Sequence, residues 1–297
     1  LMPGFLYDKD DFKYRYVYPI EEKGNRDAER RLKKQVFPFM LRRLKQDVAK
    51  DLPPKIESVS YCELTDAQRD LYLEVLEKTR EEVFANVADK GVGGSTNSIF
   101  AALLRLRQIC CHPQLMGEDL SGGLKESGKF QALKEMIEEV ISEGHRILLF
   151  SQFVEMLKII RTWLDKKGIK YEYLTGESRD RHVMVDRFNN DDTIPIFLMS
   201  LKAGGTGLNL TGADYVIHYD PWWNPAAEDQ ASDRAHRIGQ TKSVFVYRLI
   251  TKGTVEEKIL KLQDRKRDLV DSIIAADRSV GKLLSFEDLK EILSPDF

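Results

Sequence analysis

The feature that most constrains this chain is a series of five apolar runs, Ile147–Phe150, Tyr171–Leu174, Ile194–Met199, Tyr215–Tyr219 and Val244–Ile250, with helical patterns in most of the gaps. Strand-length runs spaced by roughly 20 to 30 residues, with helices between them, predict βαβ units and a parallel sheet. The expected class is therefore α/β. A parallel sheet carries its functional loops at the carboxyl ends of its strands, so the residues that follow each run are the first candidates for chemistry.

Upstream of about residue 127 the chain reads as helical and charge-rich. Asn25 to Lys50 is strongly charged and interrupted by Pro38, which predicts two short helices with a break. Leu52-Pro53-Pro54-Lys55 predicts an extended linker, and Ile56 to Tyr61 alternates like a strand. Thr65 with Gln68 has the spacing of a capping box opening a helix through about Ala88, Gly91 to Ser95 predicts a loop, and Ile99 to Cys111 a further helix ended by His112-Pro113. Near the far end, Thr254 with Glu257 predicts the start of a last long helix to about Ala276.

Composition narrows the class further. The chain has 297 residues, 46 Lys+Arg against 48 Asp+Glu and 42% hydrophobic residues, enough for a sizeable core and incompatible with global disorder. No apolar run approaches the roughly 20 residues of a membrane-spanning helix. A net charge of −2 argues against indiscriminate polyanion binding but leaves room for a local basic groove. Cys62, Cys110 and Cys111 are an odd number, with two adjacent, which favours a reducing compartment over a disulfide framework. Leu1-Met2-Pro3-Gly4 lacks the character of a signal peptide, and the expectation is that the chain was excised from something longer.

Three motifs invite chemistry. Gly123 to Lys129 has P-loop spacing, but Phe130 stands where a Ser or Thr should hold magnesium, and no apolar strand feeds the turn. Ser127 is better read as the N-cap of a helix from Lys129 to Ile141. The glycine-rich run Ser200 to Leu210 follows a strand directly. Its backbone could cradle an anion, with Lys202 and Thr206 adding a charge and a hydroxyl, or it could be a loop that merely needs positive φ. Asp220-Pro221-Trp222-Trp223-Asn224-Pro225 leads into Glu228 to Gln240, where Gln230, Arg234 and Arg237 would form one stripe if the segment is helical. Two guanidiniums on one stripe suit developing phosphoryl charge; a solvated helix face is the ordinary alternative. One tryptophan of the pair is expected inside, with the other free to meet a nucleic-acid backbone or groove. His145, His218 and Cys110-Cys111-His112 lack the spacing of a zinc site.

The run Asp220–Gln240 resembles the final helicase motif of the Swi/Snf-type chromatin-remodelling and DNA-translocating ATPases of helicase superfamily two. Ile147–Phe153, then Leu174–Glu177 with Arg187–Asn189, then Met199–Leu210 resemble further motifs of that family's second motor lobe, in order. Pro38–Arg43 and Asp51–Lys55 resemble its inter-lobe segment, and Arg107–Pro113 its helical protrusion.

The resemblance implies a RecA-like parallel sheet flanked by helices, preceded by a mainly helical protrusion. The expected parts are an inter-lobe segment (1–55), the protrusion (56–126), the helicase C-terminal lobe (127–253), and a brace helix around Arg265 to Asp271 with a tail (254–297). It also implies that Arg234 and Arg237 are arginine fingers, and that Gly205, Thr206, Gly207 and Gln230 bind ATP. Ser151, Gln152, Thr175, Gly176, Lys202, Ala203, Gly204 and Trp223 would line the path of double-stranded DNA. The P-loop lysine and acidic magnesium motif of the family's first lobe are not in this sequence. ATP with Mg2+ would be held mainly by an N-terminal motor lobe, and this chain alone would be inactive. The setting implied is intracellular, in a bacterial or archaeal cytoplasm or a nucleus. The alternative is a motor relic that binds DNA or partners without hydrolysis.

Overall fold

The computed structural model describes residues 4–21, 24–39, 49, 51–201, 203, 207–223, 225–261 and 286–294. The chain divides into two compact units, Leu1–Asp51 and Leu52–Phe297.

The first unit is helical. Asn25 caps helix α1 (Arg26–Val36) by accepting from the Asp27 and Ala28 amides, and Tyr16 Oη donates to Gln35 Oε1 at 2.6 Å. The break expected at Pro38 is present as a 3-10 turn, Phe37–Phe39. The second helix expected before Lys50 falls on residues 40–48 and 50, outside the described residues.

The second unit is built on a six-stranded sheet whose paired neighbours all run parallel: β1 (Lys55–Cys62), β2 (Ile147–Ser151), β3 (Tyr171–Leu174), β4 (Ile196–Ser200), β5 (Tyr215–His218) and β6 (Val244–Thr251). The spatial order is β1-β6-β5-β2-β4-β3. Each predicted run is a strand. The third run, expected from Ile194, starts at Ile196 as β4 because Pro195 has no N–H to give the ladder; its carbonyl accepts instead from Ile147 N at 2.8 Å.

Apart from Lys55, β1 falls in the stretch expected as a helical protrusion (56–126). This strand lies in the second unit's sheet, paired along its length with β6. Its partner is almost two hundred residues away in sequence, and short-range pattern does not reveal such pairing.

Thr65 and Gln68 form the expected capping box at the start of α2 (Asp66–Gly94), with Gln68 N donating to Thr65 Oγ1 and Gln68 Oε1 accepting from Thr65 N. The loop expected at Gly91–Ser95 is instead a kink: Gly91 takes φ 69° and the chain re-enters helix before α3 (Thr96–Cys111).

Ser127 caps α4 (Gly128–Ser142), its Oγ accepting from Phe130 N at 3.2 Å. The P-loop-like spacing has a packing cause. A Cβ on Gly128 would stand 1.9 Å from the Glu63 carbonyl oxygen, so only glycine fits there. Lys129 is fully buried, ion-paired with Glu256 and donating to Leu249 O at 3.1 Å. Its ammonium ties α4 to the end of β6.

Alternation along the buried strands separates the two faces of the sheet. Ile147 and Leu149 pack on one side with α4 and α5 (Val154–Lys167), through Leu133, Ile137, Leu157 and Ile160. Leu148 and Phe150 pack on the other, with Phe188 of α6 (Arg181–Asn190) and Ala231 of α7 (Pro225–Ser232). A third core joins α2 and α3 to helix α8 (255–261) and α9 (Phe286–Ile292). Glu257 Oε2 accepts from Gly253 N at the start of α8. The expected continuation to Ala276, with the brace around Arg265 to Asp271, lies outside the described residues.

Candidate nucleotide and nucleic-acid site

Because the strands run parallel, Ser151, Thr175, Leu201 and Asp220 all emerge at one edge of the sheet. Between the neighbouring strands β2 and β5 the chain leaves in opposite directions, through α5 on one face and α7 on the other, the place where such folds open a crevice. A buried polar knot closes its floor. Ser151 Oγ donates to Asp220 Oδ1 at 2.5 Å, and Gln152 N donates to Asp220 Oδ2 at 3.2 Å. From α3, Arg107 donates to Gln152 Oε1 at 3.1 Å and to the Pro221 carbonyl, while its guanidinium lies 3.8 Å from Asp220. Burial pushes the Asp220 carboxyl above its ordinary range, and Arg107 opposes that rise.

The residues expected to line DNA differ in burial. Ser151 is fully buried, and its hydroxyl is committed to Asp220 and to Phe153 N. Ala203 and Thr175 are buried as well, whereas Gly176 is exposed and Gln152 half-buried. The tryptophans do not divide into one inside and one outside. Both are half-buried; Trp222 N donates to Glu228 Oε1, and Trp223 packs on the α2–α3 core with the Arg107 guanidinium 5.5 Å from its ring. Lys202, Gly204, Gly205 and Thr206 lie outside the described residues.

The helical stripe is corrected. Helix α7 ends at Ser232, and residues 233–239 form tight turns. Arg234 N bonds back to Ala231 O and Ala235 N to Ser232 O, three residues each, and Gly239 takes φ 103°. The cause is Gln240, whose Nε2 donates to the carbonyls of Thr211, Ala213 and Ala235 while its Oε1 accepts from Thr241 N and Lys242 N. A helix could not present Ala235 O to that amide and also continue.

The two arginines consequently differ. Arg234 is 4% exposed, and its backbone carbonyl accepts from Leu210 N at 3.0 Å. Arg237 is exposed and donates through Nη1 to Gly207 O at 3.4 Å. Burial, and then the neighbouring Arg237 charge, make protonation of Arg234 less favourable than usual. An anion placed against both would relieve that repulsion. Gln230 is exposed and shares a shallow hollow with Ala226, Ala227, Asp229 and Asp233.

Glycine-rich residues 201–214 connect the two regions. At one end Leu201 N donates to Ser151 O at 3.2 Å; further on, Gly207 and Leu210 meet the arginine turn, and Gly212 N donates to Asn189 Oδ1 at 3.1 Å. Behind the turn, Arg248 of β6 pairs with Glu228 at 3.1 Å and with Glu57 of β1 at 2.8 Å, anchoring α7 to the sheet edge. Burial would raise Glu57, but the Lys55 hydrogen bond and the Arg248 charge hold its carboxyl down at about 2.

Magnesium does not fit the described residues. No three His, Cys, Asp or Glu side chains among them come together as a metal would need, and the Asp220 carboxylate already serves Ser151, Gln152 and Arg107. The exposed guanidinium of Arg237 suits a phosphate oxygen, not a cation.

Arg107, Asp220 and Gln240 are residues to which the sequence attached no role. Gln240 at the end of the arginine motif was the one visible signal; Arg107 lies 113 residues before Asp220, and only the fold brings them together.

A parallel sheet with helices on both faces, a glycine-rich loop after one strand and an arginine turn beside it define a RecA-like helicase lobe. The family described as "Helicase conserved C-terminal domain" matches residues 128–239, and "SNF2-related domain" matches residues 1–115. The solved "Sulfolobus solfataricus SWI2/SNF2 ATPase C-terminal domain" is 36% identical with a TM-score of 0.65, covering 82% of this chain and 100% of that one. The "SWI2/SNF2 ATPase core in complex with dsDNA" of the same organism is 38% identical with a TM-score of 0.67, covering 100% of this chain and 62% of that one. Among curated proteins, the Saccharomyces cerevisiae "TATA-binding protein-associated factor MOT1" is 37% identical over 351 residues, 100% of this chain and 19% of that protein. The Bacillus subtilis "Putative ATP-dependent helicase/translocase YwqA" is 37% identical over 304 residues, 98% of this chain and 32% of that protein. The chain belongs to the SWI2/SNF2 ATPase family. It spans between 19% and 32% of these two curated relatives.

Proposed function

We propose that this chain is the C-terminal half of an ATP-dependent double-stranded-DNA translocase. Arg237, with Arg234 behind it, reaches phosphoryl oxygens of ATP held with Mg2+ mainly by an N-terminal motor lobe. The glycine-rich residues Gly205, Thr206 and Gly207 and the Gln230 amide complete this chain's nucleotide side. Gln152, Gly176, Lys202, Gly204 and Trp223 bind the DNA backbone.

The observation that carries this reading is the Arg237–Gly207 hydrogen bond. It joins the arginine turn to the segment that begins at the Ser151 carbonyl on the crevice edge. A change at the phosphate end therefore has a covalent and hydrogen-bonded route to the nucleic-acid end. Closure of two lobes on ATP, with DNA gripped by both, converts such a route into movement. The similarity to a SWI2/SNF2 core in complex with dsDNA supports the choice of ligand.

The test is ATP hydrolysis by the complete protein with and without double-stranded DNA, beside displacement of a third strand from a DNA triplex, which reports movement along an intact duplex. DNA-stimulated hydrolysis coupled to displacement is expected. DNA binding with no hydrolysis would instead make the protein a motor relic.

A further inference from the structure

His236 stands between the two arginines, yet its ring serves a different partner. Its Nε2 lies 2.7 Å from the carbonyl oxygen of Pro53. A carbonyl can only accept, so Nε2 carries the proton and donates. The acceptor belongs to Leu52-Pro53-Pro54, the extended stretch by which the chain passes from residues 1–51 into the sheet. Two successive prolines fix φ and offer no N–H, which leaves their carbonyls as the only backbone hydrogen-bonding groups. Both are used. Pro54 O accepts from Val244 N at 3.0 Å, and that bond sets β6 beside β1 in register. Pro53 O accepts from the arginine turn.

The two bonds have different consequences. The Pro54 bond is part of the ladder that eight residue pairs of β1 and β6 form. The Pro53 bond adds nothing to the sheet. It fastens a tight turn, already separated from α7, to the incoming linker. The side chain spans this gap from the middle of Arg234-Ala235-His236-Arg237, so a shift of Pro53 displaces both guanidinium-bearing residues together.

We propose that His236 is a positioning residue: by gripping the Pro53 carbonyl it makes the arginine turn and the entering linker move as one body. This rests on the reading of Arg234 and Arg237 as phosphoryl-facing. The linker then carries information about the preceding part of the chain directly to the arginines, by a path separate from the glycine-rich segment. His236 itself touches neither phosphate nor DNA.

The experiment compares His236→Leu, which removes the donor, with His236→Gln, whose amide nitrogen restores one at similar reach, in the complete protein. Steady-state ATP hydrolysis at saturating DNA, KM for ATP and melting temperature are read for each. Loss of one net hydrogen bond predicts a fall in kcat of about tenfold for the leucine variant, with KM nearly unchanged. The glutamine variant should recover most of that loss at the same melting temperature. Wild-type turnover in His236→Leu, or equal impairment in both variants, would overturn the proposal and leave His236 a packing residue. Arg237→Ala run in parallel keeps the two readings apart. Wild-type turnover there would remove the reading of the arginines, whatever the histidine variants do.

Discussion

The guanidinium of Arg107 and the carboxylate of Asp220 face each other at 3.8 Å with both side chains sealed from solvent. One comes from the helical part of the chain and the other from the carboxyl end of a central strand, so the pair fastens α3 to the crevice floor. Replacing Arg107 with Met would leave a buried carboxylate facing an apolar side chain. Breaking a buried pair in this way costs roughly 3–5 kcal/mol. The expected result in urea denaturation is a lowered midpoint, with Asp220→Asn partly restoring it in the double variant. Full stability of Arg107→Met would mean that the pair contributes nothing.

Gln240 organises the arginine turn through three carbonyls and two amides. Gln240→Leu keeps the volume and strands those groups. The cost expected is about 1–3 kcal/mol for the unsatisfied buried groups, seen as a lower melting temperature. ATP hydrolysis by the complete protein should fall further than stability alone explains, because the turn loses its brace. An unchanged melting temperature would contradict the role given to this side chain.

Much of this architecture was legible in the sequence. All five apolar runs are strands, and the capping box at Thr65–Gln68 and the cap at Ser127 are where local chemistry put them. What local pattern did not reveal depends on distant partners. The pairing of β1 with β6 and the burial of Ser151 beneath Asp220 are set by residues remote in sequence. The arginine motif shows the same limit. A 3.6-residue period fits Gln230, Arg234 and Arg237, but the Gln240 amide captures the Ala235 carbonyl and stops the helix at Ser232. Family resemblance located the motif and said nothing about its local geometry.

Acid should loosen the second unit. His218 is fully buried between Phe150 and Ser232, and burial, with the Arg248 charge, lowers its pKa from 6.5 to about 3. The unfolded chain takes up a proton near 6.5 while the folded one does not. The stability gained from keeping His218 neutral is therefore present above that pH and is lost progressively as pH falls toward about 3. At pH 5 the loss amounts to about 2 kcal/mol from this residue. Thermal melts from about pH 7.5 down to about pH 5 should show a falling midpoint, with a shallower slope in His218→Gln. Equal slopes would show that His218 is not protected in the fold.

Trp223 is held by the α2–α3 core and lies beside Arg107, so truncation has two readouts. Trp223→Ala should lower the melting temperature, consistent with its half-buried ring. At a temperature where the variant is folded, DNA displacement per ATP should also fall, with ATP binding unchanged. Wild-type coupling in the folded variant would restrict Trp223 to packing.

The central claim is that Arg237 acts on phosphoryl charge from its place beside Gly207. The most direct measurement is steady-state ATP hydrolysis by the complete protein at saturating DNA, for wild type, Arg237→Ala and Arg237→Lys, alongside equilibrium binding of a fluorescent nucleotide. An arginine finger predicts a loss of roughly 10³-fold or more in the alanine variant and poor rescue by lysine, which lacks the planar fork. Nucleotide affinity should change far less, since the interaction strengthens where charge develops. Arg237 is exposed, so folding should be intact, unlike Arg234→Ala, where a buried side chain is also lost. Near-wild-type hydrolysis in Arg237→Ala would contradict the account and reduce this turn to a solvated surface.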